Sequence, residues 1–264
     1  MDALCADPAA RGAARAPGGP AGPRPPAAAQ GGGLVPLADW PPWAGPVSHF
    51  ILHEGLPLTA KIAAASVVGS AAVGIVLGTL LTIDFLPVRA LIRLYIEVWR
   101  GLPLIVTLFI VFFALPGLPL HLRFTQWVAA AISLTLWGSA QVAEATRGAV
   151  ESIPREQHEA ASALGFGWVG RHAYVILPQA SRRLLPPLVS LLVNVIQNTT
   201  LAALIGAIEL LGAAQSQVNR LSGPPPAGLV EIHAFEIYGG VMILFFVISF
   251  PLTRLAAFLE RRLI

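Results

Sequence analysis

Two sets of amide, hydroxyl and carboxylate side chains, each set inside an apolar stretch, are the groups of this chain best suited to handle a solute. In one, Ser190, Asn194, Gln197 and Asn198 recur at three- and four-residue spacing, and Thr199 and Thr200 follow. In the other, Ser133, Trp137, Gln141 and Glu144 form a comparable stripe. Such spacing places each set on one helix face. Any single member can equally serve as glue, hydrogen-bonding across to a neighbouring helix. Taken whole, the stripes are the expected solute path. An ionised group at mid-bilayer costs about 2.5–3.5 kcal/mol on insertion scales, so Glu144 calls for a partner or a wet cavity.

Covalent and hydrolytic chemistry finds no matching pattern. A phosphate-binding loop needs a lysine after glycine, and the only lysine is Lys61, in LTAKIA. His53-Glu54 has no second histidine four residues on, as a zinc-protease helix requires. The remaining histidines, His49, His121, His158, His172 and His233, lack ligand spacing, so no metal site is expected. GxSxG nucleophile patterns are absent. Cys5 is the sole cysteine, which excludes a disulfide framework. The chain is therefore expected to have no catalytic residues, and any energy for transport must come from a gradient or from a partner.

A third feature is the polar stretch ESIPREQHEAASALGFGWVGRHAYVILP, from Glu151 to Pro178, held between apolar segments. Ser152 can cap a helix, Pro154 suits a first turn, and Glu156 suits the positive end of the dipole. Strong helix formers run from Arg155 to Leu164, and Gly165 offers a left-handed stop. Small residues from Ala160 to Ala163 let another backbone approach closely. By itself the stretch reads equally as a plug for another protein's groove or as a connector lying on the membrane.

The spaced pattern Glu159-Ala160-Ala161, three residues, Gly165, nine residues, then Val175-x-Leu177-Pro178 resembles the EAA loop of bacterial ABC importer permeases. The likeness extends through LPQASRRLLPPLVSLLVNVIQNTTLAALIGAIELL, and upstream through IEVWRGLPLIVTLFIVFFALP and GSAQVAEATRGAVESIP. It covers Leu52 to the C-terminus and is similar to the polar amino-acid branch of that family. Val175 stands where the family usually has Ile. Gln197-Asn198 stands where many relatives carry Lys followed by Asp, Asn or Ser, which leaves the solute's charge open.

The resemblance implies several things. The helix around Glu159, Ala160, Ala161 and Gly165 docks into an ATPase subunit, and closure of two ATPases drives alternating access. ATP and magnesium are then bound on that partner, and none by this chain. A second permease, identical or similar, completes the pathway, and an extracytoplasmic binding protein delivers the substrate to the outward loop Gln215 to Glu236. A carrier or channel independent of ATP is the alternative.

The elements that must position these groups are apolar helices. Apolar residues make up 55% and charged residues 12%, and the mean hydropathy is +0.71. Soluble domains carry about 25% charged residues, so the balance is that of a polytopic, all-α membrane protein. About five spans are expected: Leu58 to Ile83, Leu91 to Leu115, Trp127 to Thr146, Leu184 to Ile205 and Ile237 to Leu259. Gly74 and Gly78 have the small-xxx-small spacing of close helix contact. Gly101 and Pro103 are expected to bend the second span. Glu97 and Arg100, three apart within it, suggest an ion pair or a gate.

Residues 1–50 are Ala/Gly/Pro-rich and read as a disordered tail without a secretory signal, before a permease domain at 51–264 with its coupling loop at 150–178. Trp40 and Trp43 fit an interfacial anchor or an ordinary linker. The net charge of +3 does not form a patch for nucleic acid. Arginines cluster instead between spans one and two, between three and four, and at the C-terminus. The positive-inside rule then puts the polar loop and the C-terminus in the cytoplasm and the N-terminus outside, and the resemblance implies a bacterial inner membrane.

Overall fold

The computed structural model describes residues 41–119, 122–222 and 233–263, and among them every regular element is helical. In order these are α1 (Ala44–Phe50), α2 (Leu56–Leu80), α3 (Leu86–Gly101), α4 (Leu104–Phe109), α5 (Gln126–Glu151), α6 (Arg155–Ala163), α7 (Trp168–Arg171), α8 (Leu177–Asn198), α9 (Leu210–Leu221) and α10 (Ala234–Leu263). The expectation of a disordered tail falls, for residues 1–40, outside the described residues. For residues 44–50 it is corrected: they form α1, which runs without a break into α2. Val47 and Ile51 supply the reason, because both are buried against Leu210, Ala213 and Ala214 of α9. Trp43 stacks on His233 with ring centroids 4.4 Å apart, whereas Trp40 lies outside the described residues.

Three stretches are long and apolar enough to cross a membrane: Ala44–Leu80, Trp168–Ile205 and Ala234–Arg262. The second expected span is a broken one, with Leu86–Gly101 and Leu104–Gly117 meeting at 102°. The break falls where the sequence places Gly101 and Pro103. Leu102 and Pro103 are extended, and a proline there cannot continue the hydrogen-bond ladder. Among the described residues, then, three helices or four with the bent pair meet the composition of a span. The helix α5 does not. Its position explains why: it is lined with buried residues on several sides, including Ala130, Ser133, Gly138, Ser139 and Ala143. A helix sheathed by other helices has no need of an apolar surface for lipid.

The most extensive pairing is that of α5 with α2. Gly74 backs onto Val142 and the Ser139 carbonyl, and Gly78 onto Thr146 and the Ala143 carbonyl, with no room at either for a methyl group. Small residues at four-residue spacing thus bring the two backbones together, as the sequence suggested. The core continues through Ile62, Leu108, Leu134, Leu191 and Val195.

Three π-helical turns interrupt the helices, at Ile51–Gly55, Ile110–Ala114 and His172–Ile176. Each closes on a leucine that directly precedes a proline. Leu56, Leu115 and Leu177 donate their N–H groups to Ile51, Ile110 and His172, and Pro57, Pro116 and Pro178 come next. A proline ring crowds the carbonyl four residues back and offers no donor, so a turn widened by one residue relieves both problems.

Candidate functional site

The polar stripes of α5 and α8 meet. Trp137 and Gln141 from α5, with Ser190 and Asn194 from α8, line a cavity of about 340 Å³ together with the apolar Val142 and Pro187. The α8 side chains hold their shape by bonding back to their own helix. Asn194 Nδ2 donates to the Ser190 carbonyl at 3.1 Å, and Asn198 Nδ2 to the Asn194 carbonyl at 2.8 Å. Each amide keeps its carbonyl oxygen as a free acceptor. Gln197 is exposed on the same helix and Thr200 is half-buried, its hydroxyl donating to the Gln197 carbonyl.

Other members of the stripes lie elsewhere. Ser133 is buried, with its hydroxyl donating to the Ala129 carbonyl at 2.8 Å. Thr199 is fully buried and donates to Ile196. Ser133 and Asn198 share a separate pinch of about 10 Å³ with Leu104, Leu108 and Leu201. That volume is at the limit for one water. Glu144 has its partner: Arg147 bridges it to Glu151 on the same helix. Glu144 three residues before Arg147 and Glu151 four after it were the available signal, although an arginine near the end of an apolar helix also serves as a topology marker. Glu97 and Arg100 are both exposed on α3, and no ion pair joins them, so the expected structural pair is corrected.

The polar loop carries the second candidate site. Here α6 starts after Pro154, which is its N-cap residue. Ser152 does not cap it, because Ser152 closes α5 and its hydroxyl donates to the Ala149 carbonyl at 2.6 Å. Glu159 pairs with Arg155 at 2.9 Å, both exposed on α6. Ala160 is exposed, while Ala161 is buried and seats the helix on the rest of the protein. Gly165 takes φ +83°, a conformation that favours glycine. Its N–H donates to the Ser162 carbonyl and that of Phe166 to the Ala161 carbonyl, the paired bonds of a left-handed helix stop.

The outer surface of this loop is more apolar than a solvated connector. Leu164 is 78% exposed and Tyr174 76%, and Val169 stands beside them. Arg171 donates to Ser162 Oγ at 3.0 Å, tying α7 to α6. Burial, and then the charge of Arg171, holds His158 below the ordinary histidine value.

One carboxylate escaped sequence reasoning. Glu209 is fully buried and accepts hydrogen bonds from the amides of Leu211 and Gly212, which makes it the N-cap of α9. Its neighbour Leu210 donates to Thr59 Oγ1 at 3.0 Å, fixing α9 to α2. Glutamate is not among the preferred caps, so no local pattern pointed to it.

A family described as "Binding-protein-dependent transport system inner membrane component" matches residues 62–264. The chain belongs to that family. As a binding-protein-dependent permease it is a multi-pass inner-membrane subunit of an ATP-driven ABC importer, a transport component whose ATPase is a separate subunit. It is 33% identical over 213 residues to the glutamine transport system permease protein GlnP of Escherichia coli (strain K12), covering 81% of this chain and 93% of that one. It is 32% identical over 211 residues to the probable glutamine ABC transporter permease protein GlnP of Bacillus subtilis (strain 168), covering 80% and 93%. Among solved structures it is similar to the crystal structure of an amino acid ABC transporter with histidines, at a TM-score of 0.70 and 25% identity, covering 83% of this chain and 96% of the other. Family membership implies an ATPase and a substrate-binding protein as partners.

Proposed function

We propose that this permease carries a polar amino acid inward along the facing surfaces of α5 and α8. The cavity formed by Trp137, Gln141, Ser190 and Asn194 carries the reading. Its volume lies within the usual range for small-molecule sites, about 300–1,000 Å³, and it offers amide and hydroxyl groups against apolar walls. The glutamine permeases and the amino acid transporter to which the chain is similar support the same solute class. Gln197, Asn198 and Thr200 extend the path along α8 and the turn after it, Ser133 and Thr199 pack beside it with their hydroxyls committed to their own helices, and Glu144 is held on α5 by Arg147.

The coupling reading assigns Glu159, Ala160, Ala161 and Gly165 to contact with the ATPase. Ala160 leaves room for close approach, the left-handed stop at Gly165 presents Leu164 outward, and Val169 and Tyr174 widen the apolar contact. ATP and magnesium bind on that partner, and its closure switches the cavity from one side to the other. This places the loop and the C-terminus in the cytoplasm and the described N-terminal end, α1, outside, where the binding protein delivers solute. Residues 41–264 form the permease domain, with the coupling loop at 150–178. A second copy or a similar permease covers the exposed face of α8, where Gln197 and Asn194 would otherwise meet lipid.

Reconstitution with the ATPase and binding protein tests the solute. Uptake of a polar amino acid, stimulated together with ATP hydrolysis, is expected. Failure of every polar amino acid to stimulate either would overturn the assignment. Co-purification of the ATPase, lost in Glu159→Lys and Gly165→Trp, tests the loop.

A further inference from the structure

His172 is buried at the start of the π-helical turn that leads from the polar loop into α8, and it is held from four directions. Its ring lies over Trp168, with centroids 4.2 Å apart. The ring of His158, from α6, meets it at 6.2 Å and 68°. Nδ1 lies 2.9 Å from the Trp168 carbonyl. Nε2 lies 3.0 Å from Thr82 Oγ1, in the turn that ends α2. Among the described residues this is the only hydrogen bond between the segment 155–176 and α2 or the turn that follows it.

The protons can be placed by elimination. A carbonyl only accepts, so Nδ1 carries a hydrogen and donates to Trp168. In the neutral ring Nε2 is then an acceptor, and the Thr82 hydroxyl must donate to it. That hydroxyl also lies 2.7 Å from the Thr79 carbonyl at the end of α2. One hydroxyl has one hydrogen, so His172 and the Thr79 carbonyl compete for it. If the loop moves away, the hydroxyl turns to Thr79 and no donor is orphaned on α2. The contact is therefore one that can open and reclose at small cost.

We propose that His172 is a positioning residue of the coupling loop, a releasable latch that passes displacement of α6 to the end of α2 through Thr82. The proposal rests on the ABC permease reading above. The covalent route from the loop reaches α8 through the widened turn before Pro178, where the helix ladder is loosened. The latch adds a second route, into α2 and through its close packing into α5, which carries the other wall of the cavity. Both walls then respond to one movement.

The test uses the assembled transporter in liposomes, with ATP hydrolysis and solute uptake measured together. Thr82→Val removes the hydroxyl while keeping the shape. His172→Phe keeps a ring against Trp168 but removes both hydrogen bonds. Each is expected to retain the ATPase and its hydrolysis while uptake per ATP falls about tenfold. The double variant is expected to be no worse than either single one, because both remove the same link. His172→Gln, which can place an amide near Nε2, is expected to recover much of the loss.

Wild-type uptake per ATP in Thr82→Val, or additive losses in the double variant, would overturn the latch. Loss of the ATPase from both variants would also overturn it, since the contact would then only support the loop's shape. Absence of an ATPase from the wild-type complex would instead strike at the permease reading itself, so the two failures are separable.

Discussion

Gly78 of α2 lies against the backbone carbonyl of Ala143 in α5 so closely that a methyl group on Gly78 would overlap it. One turn earlier Gly74 meets Val142 in the same way. Neither neighbour is the far end of a flexible side chain, so the helices themselves must separate to admit a larger residue. Gly78→Leu is expected to destabilise the purified protein by about 1–3 kcal/mol, the usual cost of overpacking. Thermal unfolding in detergent reads this directly. Gly45, with open space around it, is the control, and Gly45→Ala is expected to leave the transition unchanged.

Gly165 carries a different requirement. Space around it is open, but its φ of +83° is one that side chains rarely adopt. Gly165→Val is expected to cost roughly 1–2 kcal/mol at that residue and to fray the end of α6. Asparagine tolerates the left-handed region, so Gly165→Asn is expected to keep most ATPase binding. Comparing ATPase retained on the two variants separates backbone shape from steric bulk. Equal retention would mean that the stop does not shape the docking surface.

The parts of this fold that were legible in the sequence are those decided within a few residues. The stop at Gly165 and the break at Gly101-Leu102-Pro103 follow from local backbone chemistry, and the Gly74–Gly78 contact follows from spacing. The polar stripes were legible as faces, but not the division of each face. Ser133 and Thr199 turn to carbonyls of their own helices, a choice set by packing with neighbours that spacing does not reveal. Composition set the N-terminal boundary too late, because α1 is short and draws its stability from α9, far along the chain. The contact of His172 with Thr82 joins residues 90 positions apart, beyond any local pattern.

Arg147 holds two carboxylates at once, Glu144 toward the apolar part of α5 and Glu151 at its end. Exposed pairs of this kind are usually worth little, about 0–1 kcal/mol. Here the expected loss is larger when the arginine alone is removed, because Glu144 then loses the counter-charge that hydrogen-bonds it on α5. Arg147→Leu is expected to lower the yield of folded protein from membranes, and Glu144→Gln in the same chain to restore part of it. Equal yields for the single and double variants would show that Glu144 is already solvated from the cavity side.

The cavity makes the most direct prediction about solute handling. Gln141 and Asn194 face it from opposite helices, and each presents an amide that a zwitterionic or amide-bearing solute can engage. A net hydrogen bond is worth about 0.5–1.5 kcal/mol, so Asn194→Ala should weaken solute stimulation of the ATPase by roughly two- to tenfold. Gln141→Ala should do the same, while hydrolysis without solute stays near its wild-type rate. Ser133→Ala is the comparison inside α5, because its hydroxyl is buried and committed to Ala129. If Ser133→Ala weakened stimulation as much as Asn194→Ala, the path would run through the narrow pinch beside Leu104. If neither Gln141→Ala nor Asn194→Ala changed stimulation, those amides would be interhelical glue and the cavity would not be the solute site.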